Sequence, residues 1–221
     1  VGTDHGLYLS LDRGDSFMAM DGGMPNAPVH DVTMQTDAKD LVVGTHGRSI
    51  FVADVEHIHA LTPEMRETPL HLFAADSLRH NPDWGTQGAV WMEPDAPSIT
   101  LPYFAQASGE TTFTVSTEDG QTLATLTHAA DAGLNYADYD LSVDADAVDD
   151  LNDERGDEVD PVEPSDNGVA YLPPGTYTLE ASLNGETATG TLTVRPERSA
   201  QNAAPRMEGG VPGPGEEEEI K

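Results

Sequence analysis

The chain has 221 residues, enough to bury a core in one or two domains. Its 40 acidic residues against 10 basic ones set a formal charge of -30, which repels nucleic acid and membrane surfaces and excludes both as partners. Cysteine is absent, which excludes disulfides, thiol catalysis and Cys-ligated zinc. The only lysines are Lys39 and Lys221. An Asp-rich, Lys-poor surface suits high salt, where self-repulsion is screened, so a halophilic or marine bacterial source is expected; an ordinary acidic secreted protein is the alternative. The chain opens at Val1 within a strand pattern and has no charged and apolar leader, so further sequence is expected to precede it. No apolar run approaches the length of a membrane span.

Residues 1–54 hold a repeat. Val1-Gly2-Thr3 returns as Val43-Gly44-Thr45, and each copy runs through a polar glycine turn into a strand, Leu7–Ser10 or Ser49–Val52. Short strands at a period of about 40–45 residues predict propeller blades. Ser16–Met20 completes the first set, Val29–Gln35 opens the second, and Gly22–Pro25 links them. Between the copies, Ser10, Asp12, Gly14, Ser16 and Phe17 match the Asp-box pattern S-x-D-x-G-x-[ST]-[WF]. The expected hairpin has Asp12 accepting backbone N–H groups, Gly14 at positive φ and Phe17 plugging the layer between strands. Its role is structural rather than ligand-binding.

Residues 55–69 read as a linker, with Pro63 and Pro69 as breakers. Beyond it, Leu70–Phe73, Ser98–Tyr103, Thr111–Ser116, Thr122–Thr127, Gly133–Leu141, Thr176–Leu183 and Thr187–Val194 read as strands. Asp119-Gly120 and Asn184-Gly185 mark hairpins. About seven short strands with such turns predict an immunoglobulin-like sandwich. Residues 138–166 carry thirteen acidic side chains and one arginine, which predicts a mobile insertion. Residues 198–221 are Pro- and Gly-rich, end in a glutamate run and predict a disordered tail.

The runs Val1–Phe17 and Met24–Asp54 resemble the last blades of large BNR-repeat proteins related to the sortilin-type ten-bladed propeller, a group to which glycosyl hydrolase activity is often attributed. Ala132-Gly133-Leu134-Asn135, Asp140-Leu141 and Pro173–Thr178 resemble that group's C-terminal Ig-like domain of the flagellar hook-capping type. The chain departs at Tyr139, where the family often has Trp, and in its longer acidic insertion. The expected architecture is all-β. Two partial blades (1–54) and a linker (55–69) lead to an Ig-like sandwich (70–197) with an acidic insertion at 142–168, then the tail. The resemblance implies a secreted, periplasmic or cell-surface bacterial protein whose partners are upstream blades and a glycan or protein ligand. This region is expected to be a non-catalytic structural and interaction module; the alternative is part of a glycoside hydrolase whose paired carboxylates lie mainly in upstream blades.

Site candidates are few. Asp4, His5, His46 and Arg48 occupy equivalent turns and can form a polar rim that binds a carboxylate or sugar hydroxyls; hydrogen-bonded turn residues are the alternative. Asp4 and Asp31 are carboxylates near that face, read as ordinary solvated turn residues. His57, His59, His71 and His80 lack the spacing of a zinc site. Residues 150–156 place Arg155 where an EF-hand loop needs Gly. Trp84, Trp91 and Tyr103 offer a sugar-stacking platform, although Trp91 and Tyr103 suit a core or interface. No catalytic residue, metal or cofactor is assigned.

Overall fold

The computed structural model describes residues 1–20, 23–89, 91–156 and 159–197. The expected tail, 198–221, lies outside the described residues, as does Gly22 of the expected link. The fold is all-β with three short helices among the described residues. None of these helices is long and apolar enough to cross a membrane.

Two antiparallel three-stranded sheets form the first part. One runs β1 (Gly2–Thr3), β2 (Gly6–Leu9), β3 (Met18–Met20) and the other β4 (Val29–Gln35), β5 (Asp40–Thr45), β6 (Ile50–Asp54), each in sequence order. Gly2-Thr3 of the first Val-Gly-Thr copy forms β1, and the whole second copy lies on β5. The sheets touch where β1 meets the start of β4. A Cβ on Gly2 would lie 2.5 Å from Val29 Cγ1, so that approach requires glycine. Leu7, Val29 and Val43 are buried together, flanked by Met20, Leu41 and Phe51. Three buried side chains make a small core, so this part contributes little hydrophobic free energy of its own.

The expected linker is helical. Residues Glu56–Ala60 form α1 and Pro63–Glu67 form α2. Thr62 caps α2 by accepting the Met65 N–H at 3.2 Å, and Pro63 sits in its first turn, where a missing N–H costs nothing.

Residues 70–197 build two sheets around one core. Strands β7 (Leu70–Leu72), β9 (Ile99–Ala105) and β12 (Gly133–Tyr139) form one sheet in the order β12-β9-β7. Strands β8 (Leu78–Arg79), β10 (Gly109–Ser116), β11 (Thr122–Ala130), β15 (Gly175–Leu183) and β16 (Glu186–Arg195) form the other, in the order β11-β10-β15-β16-β8. The pleat sends alternate residues inward: Thr111, Phe113 and Val115 on β10, and Tyr177, Leu179, Ala181 and Leu183 on β15. They meet Leu101 and Tyr103 of β9, and the Tyr103 and Phe113 rings cross edge to face at 5.2 Å. Each such buried Leu or Phe contributes about 1.5–3 kcal/mol. Asn184 and Gly185 both take positive φ, 53° and 87°, the two-residue hairpin turn their sequence predicts. The strand expected over 133–141 ends at Tyr139. Leu141 is fully buried at φ 61°, a left-handed conformation that breaks the extended run.

Where composition predicts a mobile insertion, the acidic stretch holds secondary structure among the described residues. Strands β13 (Ser142–Val143) and β14 (Ala170–Tyr171) pair across its base, and Val148–Arg155 forms α3. Composition misleads because the charges point outward while a few residues anchor. Asp149, Asp150, Asp153 and Glu154 are exposed, whereas Val143, Ala147 and Leu151 join the sandwich core. The Asn152 amide holds Val162 at both backbone groups, at 2.7 and 3.0 Å. Further along, Asn167 donates to the Tyr171 hydroxyl at 2.7 Å.

Candidate functional site

The segment Ser10–Phe17 closes the turn between β2 and β3. Ser10 Oγ donates to Asp12 Oδ1 at 2.8 Å and accepts the Gly14 N–H at 2.7 Å. Asp12 Oδ1 also accepts the Ser16 N–H at 2.9 Å, while Ser16 Oγ donates to Asp12 Oδ2. Arg13 and Gly14 supply the reversal with φ of 63° and 100°. The Ser16 hydroxyl first, then the Ser16 N–H and the Ser10 hydroxyl, hold the Asp12 carboxyl well below the usual carboxylate range. Both oxygens are engaged inside the turn, so Asp12 acts as a strut. Asp12 accepts one backbone N–H from across the turn, where several were expected, and two hydroxyls supply the rest. Phe17 departs from the pattern's expectation. It is 53% exposed, because it leads into the edge strand β3 and no described element covers that side.

The two polar turns lie at the same end of their sheets, since Gly2 abuts Val29 and Val29 pairs with Thr45. They do not assemble a ligand set. Asp4, His5, His46 and Arg48 are all exposed, and among the described residues no hydrogen bond, ion pair or ring contact joins one turn to the other. The His5 N–H binds Thr3 Oγ1 at 3.1 Å, and the His46 N–H binds the Pro28 carbonyl at 2.9 Å. His46 stacks instead on His30, with ring centroids 4.9 Å apart. His30 is the residue passed over at the register shift between the Val29–Thr45 and Asp31–Gly44 pairs, a bulge that its sequence does not announce. Asp31 accepts the N–H of Val32 at 3.0 Å.

The remaining candidates scatter. Tyr103 is fully buried in the sandwich core with its hydroxyl 2.7 Å from His128 Nδ1. Trp84 is buried against His80 and Tyr171. Trp91, expected in a core or interface, is 87% exposed, so the three aromatics form no platform. No three His, Asp or Glu side chains come together as metal ligands among the described residues. Residues 150–155 belong to α3 rather than to a cation-binding loop.

Tertiary structure creates a different concavity. A cleft of about 640 Å³ runs between α1 and the outer face of the β12-β9-β7 sheet. The His57 ring lies 5.1 Å from Phe73 and 5.7 Å from Tyr136, and His71 crosses Phe73 edge to face at 4.8 Å. Asp54, Glu56 and Asp76 border these rings. Burial first, then the Asp54 charge, raises the Tyr136 hydroxyl above its ordinary pKa. Burial alone lowers that of the His71 imidazole. The arrangement can bind: it offers ring faces and carboxylate lone pairs in one concavity.

No family model matches the chain, and no curated protein matches it. Function therefore rests on the geometry of its own residues. The cleft was not legible in sequence because His57, Phe73 and Tyr136 come from three separate elements. The nearest signal was the run of histidines at 57, 59 and 71, of which only His57 lines the cleft.

Proposed function

We propose that this chain is a non-catalytic structural and interaction region of a larger secreted BNR-repeat protein. In this reading, residues 1–54 are partial blades of a sortilin-like β-propeller and residues 70–197 an Ig-like sandwich. The observation that carries the proposal is the pair of small sheets. They repeat strand, turn and strand at an offset of 42 residues, and one holds a saturated Asp-box turn. Their core is small, while Met18 on β3 and Ile50 and Val52 on β6 are 51%, 69% and 62% exposed on edge strands. Apolar side chains on unpaired edges favour further protein packed against them.

The Ig-like reading draws on connectivity. β7 joins β9 in one sheet, whereas β8, six residues on, pairs in parallel with β16 in the other. The first strand thus switches sheets. Tyr177, near the start of β15, donates its hydroxyl to the Pro173 carbonyl at 2.7 Å, the hydrogen bond of a tyrosine corner. A hydrolase reading draws less support, because the Asp12 carboxylate is engaged within its own turn, and Asp31, expected in a turn, lies on strand β4 and accepts the Val32 N–H. Export to the periplasm, the cell surface or the medium of a bacterium belongs to the same proposal.

Separate expression of residues 1–60 and 70–197 tests it. The second fragment is expected to fold alone on its own core. The first is expected to stay unfolded, because a small core clustered on Leu7, Val29 and Val43 does not offset its chain entropy. Dispersed amide shifts from isolated 1–60 would refute the blade reading.

A further inference from the structure

We propose that the cleft between α1 and the β12-β9-β7 sheet is a binding site for an organic cation: a quaternary ammonium or the guanidinium of a basic peptide. The shape is that of a ligand site, a concavity of about 640 Å³ with ring walls. His57 stands between Phe73 and Tyr136, and Tyr136 is 46% exposed, so a ring face remains open to an incoming group. The polar lining selects the charge. Asp54, Glu56 and Asp76 border the cleft, and among the described residues no Lys or Arg lines it. Lys39 pairs with Glu56, which leaves Asp54 and Asp76 as uncompensated charges. Among the described residues, no hydrogen bond or ion pair reaches the Asp76 carboxylate, the His57 ring or the Tyr136 hydroxyl. Asp54 uses one oxygen to accept the Glu56 N–H at 2.7 Å.

An aromatic face beside carboxylates suits a cation with an apolar or planar surface. The ring quadrupole attracts it, and the carboxylates add Coulomb attraction. A phosphate or carboxylate ligand is repelled by the same groups. A neutral sugar can stack on Tyr136 and donate hydroxyls to the carboxylates, but it gains no net Coulomb attraction. The raised Tyr136 hydroxyl agrees with a partly desolvated site, where these attractions are less screened.

The test uses the full chain, followed by amide NMR at fixed ionic strength. Three probes are titrated: tetramethylammonium chloride, an acetylated Gly-Arg-Gly amide peptide and cellobiose. Saturable shifts around His57, Thr100 and Tyr136 are expected with at least one cation. Preference between the two cations separates a free ammonium ligand from a basic side chain on a partner protein. Tyr136→Ala and Asp76→Asn should each weaken binding at least tenfold, while Tyr136→Phe retains it. Asp119→Asn, at the exposed β10–β11 turn, should have no effect and controls for the overall negative charge. The proposal fails if cation shifts do not saturate, if Tyr136→Ala and Asp76→Asn leave them unchanged, or if cellobiose binds as tightly as the cations.

Discussion

Tyr177→Phe removes one oxygen from the buried corner of the sandwich and nothing else. The Tyr177 hydroxyl donates to the Pro173 carbonyl at 2.7 Å, and the side chain is 6% exposed. The variant leaves that carbonyl without a donor in a site water does not reach, which costs about 1–3 kcal/mol at neutral pH. The penalty should depend on pH in a defined direction. Burial raises the Tyr177 pKa to about 12, against an ordinary 10.0, with Arg155 opposing the shift. A folded pKa raised above the unfolded one gives stability that is complete below pH 10 and is lost as pH climbs toward 12. At about pH 11, the wild type should have lost about 1.4 kcal/mol through this group. The phenylalanine variant has no such proton at this position. The stability gap between them should therefore narrow by that amount between about pH 9 and pH 11. Urea unfolding followed by fluorescence of the buried Trp84 measures it at each pH. A variant as stable as the wild type at neutral pH, or a gap constant across the alkaline range, would refute the reasoning.

Asp12→Asn should loosen the β2–β3 turn and speed amide exchange at Gly14 and Ser16, leaving β10 and β15 protected; unchanged exchange at Ser16 would contradict the strut role. Because hydrogen bonds depress the Asp12 pKa in the fold, its contribution is present above the ordinary carboxylate range and lost as pH falls below it, so the same amides should lose protection only in acid. Leu151→Ala should cost about 2–4 kcal/mol and release α3, seen as faster exchange over residues 151–155; unaltered protection there would mean that the helix is not anchored by that side chain. Raising NaCl from low to molar concentration should raise the melting temperature by screening Asp149, Asp150, Asp153 and Glu154 and the charge of -30, and a flat response would count against salt adaptation.

Much of the strand set was legible in sequence, because pleat and turn chemistry are local. Alternation in Thr111–Ser116 and Thr176–Leu183 marks which face is apolar, and Asn184-Gly185 supplies the positive φ of its hairpin. Ser10, Asp12, Gly14 and Ser16 likewise interact within four positions of one another, so their contacts are local. The pieces that escaped depend on chain segments far apart. Two residues, Leu78 and Arg79, become a strand only because β16 lies beside them more than a hundred residues later. The acidic stretch folds against its composition because Leu151 and Asn152 find partners in the core and at Val162, and a count of charges carries no information about such anchors. Phe17, expected inside, is exposed because its neighbour in the pattern says nothing of whether another layer covers β3. His57, Phe73 and Tyr136 line one cleft because α1 lies across the face of a sheet built from distant strands. Short-range rules therefore determined which residues turn and which extend, whereas tertiary packing alone decided which faces are covered and which side chains meet.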